Sequence, residues 1–287
     1  MEYRPVCYIP VQCVVALINI QNYRYTPKCL FKLLHYIFMP HNTIKTIEKN
    51  DTGFIYFDRE DHLNTITVDM VNDIIDALSS METSCKSIVI GGKKNFSAGA
   101  DILQFPELNP VEAYEFHRKL NELALYFREY SRPVISFLNG YVFGGGLELS
   151  LSTDIRVCSK DALLSQPEIG LGINAGAGGN VILPHVVGRN RALYMILTGT
   201  KLNASTAYDF GLVDILADHA LEEATRIAGI INSKPENTVK LAKRAVNNTS
   251  SADVRSNLDY EAALFGVLFS EKDTKESINN FIKKKGK

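Results

Sequence analysis

Three consecutive glycines, Gly144-Gly145-Gly146, stand directly before Leu147-Glu148 and an apolar, helix-like run. A backbone stripped of Cβ atoms over three positions can turn tightly and let its amides approach a ligand closely. A helix start just beyond adds unpaired N–H donors and a dipole that favours developing negative charge. A second turn of the same character, Asn95-Phe96-Ser97-Ala98-Gly99-Ala100-Asp101, follows an apolar run at 88–90. Two such turns can each present one N–H to a single carbonyl oxygen, the arrangement of an oxyanion hole. Glycine turns ahead of helices are also common as plain structure, so the pattern needs its surroundings. A dinucleotide site is not expected: neither cluster reads G-x-G-x-x-G, and Gly199 and Thr200 stand where the acidic partner of Gly176-Ala-Gly178-Gly179 would fall.

From Phe54 to about residue 195 the chain alternates short apolar runs with long amphipathic stretches. Strand-like runs lie at 54–57, 87–90, 134–137, 154–158 and 162–165. Met70, Val71, Ile74, Ile75, Leu78 and Met81 recur at helical spacing behind Thr67, which is placed to cap them. Residues 111–130 make a second amphipathic helix, stopped by Ser131-Arg132-Pro133. Beyond 195 the expectation is helices only, at 204–210, 220–232, 235–247, 251–268 and 273–284. That alternation predicts an α/β protein followed by a helical region.

Composition narrows the function. Lys+Arg number 31 against 32 Asp+Glu, so bulk positive charge for nucleic acid is missing. No apolar run approaches the roughly 20 residues of a membrane-spanning helix. Five cysteines, odd in number and without a C-x-x-C pair, do not read as a disulfide framework or a zinc ribbon. Six scattered histidines show no ligand spacing, and no metal site is expected. Residues 1–38 differ from the rest: they hold three of the five cysteines, none of the 19 glycines and an excess of basic residues. Two readings of that segment stay open, sequence upstream of a start at Met39 or a true extension.

Jointly, Ser97-Ala-Gly-Ala-Asp101, Gly140-Tyr-Val-Phe-Gly-Gly-Gly-Leu-Glu148, Gln166-Pro-Glu168 and Gly176-Ala-Gly-Gly179 resemble the crotonase (enoyl-CoA hydratase/isomerase) family. Leu197-Thr-Gly199, Ala207-Tyr-Asp-Phe-Gly-Leu-Val213, Leu63-Asn64 with Met70, and Phe269-Ser-Glu-Lys-Asp273 with Glu276 are similar to other segments of that family. The resemblance runs over about residues 44–285 in order. It implies a crotonase-like spiral of ββα units at 44–195. A helical region at 196–287 would build a homotrimer or a dimer of trimers.

The implied reaction is reversible addition of water to a 2-enoyl-CoA, giving a 3-hydroxyacyl-CoA. The resemblance puts the thioester oxygen between the backbone N–H groups of Ala98 and Gly145. In the usual order Glu148 would activate water and Glu168 would deliver a proton to C2, though the spacing alone does not assign the two roles. Ala98, Gly99, Ala100, Asp101, Gly144, Gly145 and Arg59 would contact the acyl-CoA, with Ile173, Asn174 and Ala175 at the acyl end. No cofactor is expected; coenzyme A enters only as part of the substrate.

Some positions depart from the family. Asn174-Ala175 stand where a Pro is common, and Asn180 replaces a frequent Thr and reads as a helix cap. Asp61-His62 replace a Pro-Lys-like pair, which leaves Arg59, Lys93 and Lys94 as candidates for the coenzyme A phosphates. The rivals are a Δ3,Δ2-enoyl-CoA isomerase and a non-catalytic, RNA-associated member of the family. Two retained glutamates favour the hydratase, and no nucleic-acid or membrane partner is expected. The expected location is cytoplasmic, with the mitochondrial matrix also open.

Overall fold

Ile88-Val89-Ile90 is apolar at every position, which suits a parallel strand covered on both faces. The computed structural model describes residues 41–248, 254–268 and 274. Residues 1–38, the family-like segment at 269–273 and all but residue 274 of the helix expected at 273–284 lie outside the described residues. In chain order the strands are β1 (Ile44–Lys49), β2 (Thr52–Phe57), β3 (Ser87–Gly92), β4 (Val134–Leu138), β5 (Tyr141–Phe143), β6 (Ile155–Ser159), β7 (Leu163–Ser165), β8 (Leu202–Asn203) and β9 (Ile215–Ala217). They form a six-stranded sheet ordered β1-β2-β3-β4-β6-β9 and a three-stranded sheet ordered β5-β7-β8. In the larger sheet only the β1/β2 pair is antiparallel; Ile55 sits opposite Ile90, and Ile90 opposite Ser136.

The helices are α1 (Val68–Met81), α2 (Pro110–Glu129), α3 (Gly145–Leu151), α4 (Leu183–Val187), α5 (Arg189–Thr198), α6 (Ala204–Asp209), α7 (Ala220–Asn232), α8 (Glu236–Asn248) and α9 (Val254–Leu268). Thr67 caps α1 as expected, its Oγ1 accepting from the Met70 N–H at 3.2 Å. Asn109 and Glu112 close a capping box on α2, satisfying amides that a helix start leaves unpaired. The chain visits the two sheets in turn: β4 then β5 then α3, and β6 then β7 then a short 3-10 turn, Glu168–Leu171. That repetition is the expected spiral of ββα units.

Alternate side chains of the large sheet feed two apolar layers. Ile55, Phe57, Ile88, Ile90 and Leu138 pack with α1, α2 and α3, through residues such as Ile74, Leu78, Leu123 and Leu147. Phe54, Val89, Ile135, Phe137 and Val157 face the other way and are covered by Ala220, Ala224, Ile227 and Ala228 of α7. Each fully buried Ile, Leu or Phe contributes about 1.5–3 kcal/mol. Small residues along α7 let its backbone lie close to the sheet.

Three expectations are corrected. β1 lies outside the expected strand-like runs and is a strand through its pairing with β2, since Ile44-Lys-Thr-Ile-Glu-Lys49 buries only Ile44 at the sheet edge. β5 was hidden inside the run leading to the glycines; it is a strand because the second sheet supplies β7 as its partner. The region beyond 195 is not helices only: β8 joins β7 and β9 joins β6, so the sheets close at Ala217 rather than near 195.

Candidate active site

β5 ends at Phe143, and the chain turns through Gly144, whose φ of +51° is a conformation that L side chains rarely adopt. α3 starts at once with Gly145. Here the two glycine-containing turns meet. A Cβ on Gly146 would stand 2.6 Å from the Ser97 carbonyl oxygen, and one on Gly145 would stand 3.3 Å from the Ala100 nitrogen.

Where the amides of the first turn go decides what it can bind. Phe96 N–H donates to Asn139 O, Ser97 N–H to Tyr141 O, and Asp101 N–H to Ile66 O. Gly99 N–H donates to Ser97 Oγ at 3.1 Å. Ala98 N–H donates to Leu63 O at 3.0 Å. The Ala100 N–H has no acceptor among the described residues. Gly145, as the first residue of α3, has no intrahelical acceptor for its N–H either. The unpaired amides that meet are therefore those of Ala100 and Gly145. This corrects the expectation for Ala98, whose N–H is already spent on Leu63. The local pattern identifies the turn, while residues 63–66, more than thirty positions upstream, choose the amide.

Glu148 lies in the first turn of α3 and is 2% exposed. Its Oε1 accepts hydrogen bonds from the N–H groups of Ala177 and Gly179, both at 2.8 Å. Burial pushes the carboxyl up to about 7; the amide donors oppose this, and the nearby Glu168 adds to it. Glu168 begins the short 3-10 turn, and its Oε1 accepts from Gln166 Nε2 at 2.8 Å. Its buried Oε2 has no partner among the described residues, and burial raises this carboxyl too. Gly179 lies between Glu148 and the Gln166 amide that holds Glu168: a Cβ there would stand 2.9 Å from Glu148 Oε1 and 3.0 Å from Gln166 Nε2. A Cβ on Gly144 would lie 3.0 Å from Glu168 Oε1, which puts that carboxyl beside the glycine turn. Two carboxyls biased toward the neutral form by burial, next to two unpaired amides, can give and take protons while negative charge is held on a third atom.

Other expected residues have local work. Arg59 forms an ion pair with Asp101, Nη2 to Oδ2 at 3.0 Å, and Asp101 also accepts from the Leu103 N–H at 3.4 Å. Both side chains thus secure the exit of the first turn, and Arg59 stands beside the site already paired with Asp101. Lys93 and Lys94 are exposed. Ile173, Asn174 and Ala175 follow Glu168, with Ile173 N–H donating to Glu168 O at 3.4 Å. Asn174 and Ala175 line an open groove of about 400 Å³ with Tyr114, His117 and Asn121. Asn180 is not a helix cap: its Nδ2 donates to Ala175 O at 2.7 Å and closes the loop that carries the Glu148-binding amides. Gln166, in the sequence only a member of the Gln166-Pro-Glu168 motif, is buried, and its amide is what steadies Glu168.

A family model described as enoyl-CoA hydratase/isomerase matches residues 48–287. The crotonyl-CoA hydratase of Syntrophomonas wolfei is 32% identical over 253 residues, covering 86% of this chain and 97% of that protein. A probable mitochondrial enoyl-CoA hydratase of Dictyostelium discoideum is 33% identical over 258 residues, covering 87% of this chain and 91% of that protein. Among solved structures, an enoyl-CoA hydratase from Thermoplasma volcanium superposes with a TM-score of 0.80 at 41% identity, over 83% of this chain and 96% of that one. One from Bacillus anthracis gives 0.81 at 29% identity, over 85% and 97%.

Proposed function

Because the chain belongs to the enoyl-CoA hydratase/isomerase family, we propose that it adds water reversibly to 2-enoyl-CoA thioesters, giving 3-hydroxyacyl-CoA. The observation that carries this reading is the meeting of two unpaired amides, at Ala100 and Gly145, with the buried pair Glu148 and Glu168.

The thioester oxygen accepts from the Ala100 and Gly145 N–H groups. Glu148, ionised and fixed by two amide donors, takes a proton from water as the water oxygen bonds to C3. The C2=C3 electron pair shifts, and negative charge collects on the thioester oxygen, where each fixed donor is worth about 3–4 kcal/mol. Glu168, protonated at an oxygen with no other partner, gives that proton to C2, and the carbonyl re-forms. Proton exchange between the carboxyls restores the starting state. The two roles follow the two environments: a doubly held carboxylate orients water, and a singly held one is free to hand over a proton. The thioester itself acidifies C2, so the step needs no metal or redox group, and coenzyme A is the handle of the substrate.

Crotonyl-CoA should lose its conjugated thioester absorbance on addition of the enzyme, and no loss with any of several chain lengths would refute the hydratase reading. A 3-enoyl-CoA tests the isomerase: gain of conjugation without hydration of the 2-enoyl product would favour it.

The expected assembly is a homotrimer or a dimer of trimers. Native mass measurement should give three or six times the chain mass. No helix among the described residues is long and apolar enough to cross a membrane. Cys85 and Cys158 are free thiols, which suits a reducing compartment, the cytoplasm or the mitochondrial matrix.

A further inference from the structure

Leu63 and Asn64 both adopt left-handed backbone conformations, with φ of 51° and 53°. Asn tolerates that region better than most residues, and Leu is seldom found there. Such a pair persists when its surroundings hold it, and the side chain of Asn64 supplies the hold. Asn64 is fully buried. Its Oδ1 accepts from the Arg59 N–H at 2.9 Å, and its Nδ2 donates to the Asn95 carbonyl at 2.7 Å. The backbone N–H of Asn64 also donates to Arg59 O at 2.9 Å. One side chain therefore ties the segment after β2 to the start of the turn after β3. It needs an acceptor and a donor at once, which among side chains of this length only Asn offers.

What that tie positions is visible in the next bonds along. The Leu63 carbonyl accepts from Ala98 N–H at 3.0 Å, Ile66 N–H donates to Gly99 O at 2.8 Å, and the Ile66 carbonyl accepts from Asp101 N–H at 2.9 Å. Segment 63–66 grips residues 98, 99 and 101 and passes over Ala100.

We infer that Asn64 is a positioning residue for the reaction: it sets the strained Leu63-Asn64 turn that aims the Ala100 N–H at the thioester oxygen. The inference rests on the function proposed above. Asn64 touches no reacting atom and acts through Ala100.

The test uses the full chain, crotonyl-CoA for turnover, and a 2-enoyl-CoA bearing a para-dimethylaminophenyl group at C3 as a spectroscopic probe. Absorption of the probe moves to longer wavelength when donors polarise its carbonyl. Asn64→Asp keeps the acceptor but places an anionic oxygen against the Asn95 carbonyl. Asn64→Gly keeps the left-handed backbone and removes both side-chain bonds. Each variant should lower kcat about 10- to 100-fold, the size of loss that a displacement of about an ångström causes. KM should change little, the shift of the bound probe should shrink, and the pH inflection of the carboxyl pair should stay in place. A folded variant of either kind with the wild-type probe shift and kcat would overturn the inference, and Asn64→Gly decides if Asn64→Asp does not fold. A wild-type protein that binds the probe without a shift and hydrates no enoyl-CoA would overturn the proposed function as well, an outcome distinct from a failure at Asn64 alone.

Discussion

At Glu148 burial raises the carboxyl to about 7 while the Gly179 and Ala177 amides pull it down, and both influences can be measured. Below about 4.5 the group is protonated folded and unfolded alike and carries no penalty. As pH rises from there to about 7, the unfolded chain ionises freely while the folded chain resists, so stability falls by about 3 kcal/mol. Glu148→Gln keeps the accepting oxygen and removes the charge. It should be more stable than wild type by about 1–3 kcal/mol at pH 8, several degrees in Tm, and no more stable at pH 4.5. Equal differences at both pH values in thermal melts would show that burial of charge is not the cause. The same variant, and Glu168→Gln, should each lower kcat by about 10²- to 10⁴-fold, read in the crotonyl-CoA assay. Glu168→Gln should also move the remaining carboxyl inflection below 7, because the Glu168 charge is one of the influences raising it. An inflection that stays at 7 in a pH–rate or carboxyl NMR titration would break the coupling.

Among elements, α3 is the one whose start is set by contacts on its glycines. A Cβ on Gly146 would press on the Ser97 carbonyl at 2.6 Å, whereas one on Gly145 would meet the Ala100 nitrogen at 3.3 Å. Gly146→Ala should therefore cost about 1–3 kcal/mol of stability by overpacking, seen as a lower denaturant midpoint. Gly145→Ala should fold with near-normal stability and still lose about 10- to 100-fold in kcat, because the added methyl crowds the proposed thioester-oxygen site. Long amphipathic elements were legible: Thr67 and the apolar spacing behind it located α1, and Ser131-Arg132-Pro133 located the end of α2 within a residue. β1, β5, β8 and β9 were not: β1 buries a single side chain at the sheet edge, β5 runs straight into the glycine turn, and β8 and β9 are two and three residues long, so each exists through the partner the fold brings alongside.

For the whole molecule, α8 is bound to the sheet by a buried cation. Lys243 Nζ donates to Phe127 O at 3.1 Å, Arg132 O at 2.9 Å and Asp154 Oδ2 at 2.7 Å. Arg132 in turn pairs with Glu236 at the start of the same helix and donates to Glu82 O. These contacts draw together α8, the end of α2 and the strands β4 and β6 that precede and follow the catalytic helix. Lys243→Met would leave two carbonyls without this donor and the largely buried Asp154 carboxylate without its counter-charge, held only by the Val134 N–H at 2.7 Å, and should cost about 3–5 kcal/mol in equilibrium unfolding. Asp154→Asn added to Lys243→Met should recover part of that loss, since it removes the uncompensated charge. A loss under about 1 kcal/mol for the single change would place the lysine among solvated surface charges.

The amino-acid sequence alone determined the α/β alternation, the two glycine turns, the carboxyl pair Glu148 and Glu168, and the family. Each of these is written in residue type and short spacing, and Cβ-free turns and helical periods are local properties of a chain. The tertiary structure decided which amide is free, Ala100 rather than Ala98, because the competing acceptor Leu63 lies 35 residues upstream in the chain and arrives only through folding. It likewise decided that Arg59 pairs with Asp101, that β8 and β9 complete the sheets, and that burial raises the Glu148 carboxyl to about 7. Hydrogen-bond partners, strand neighbours and the loss of water around a charge are properties of the packed molecule, and no window of sequence contains them.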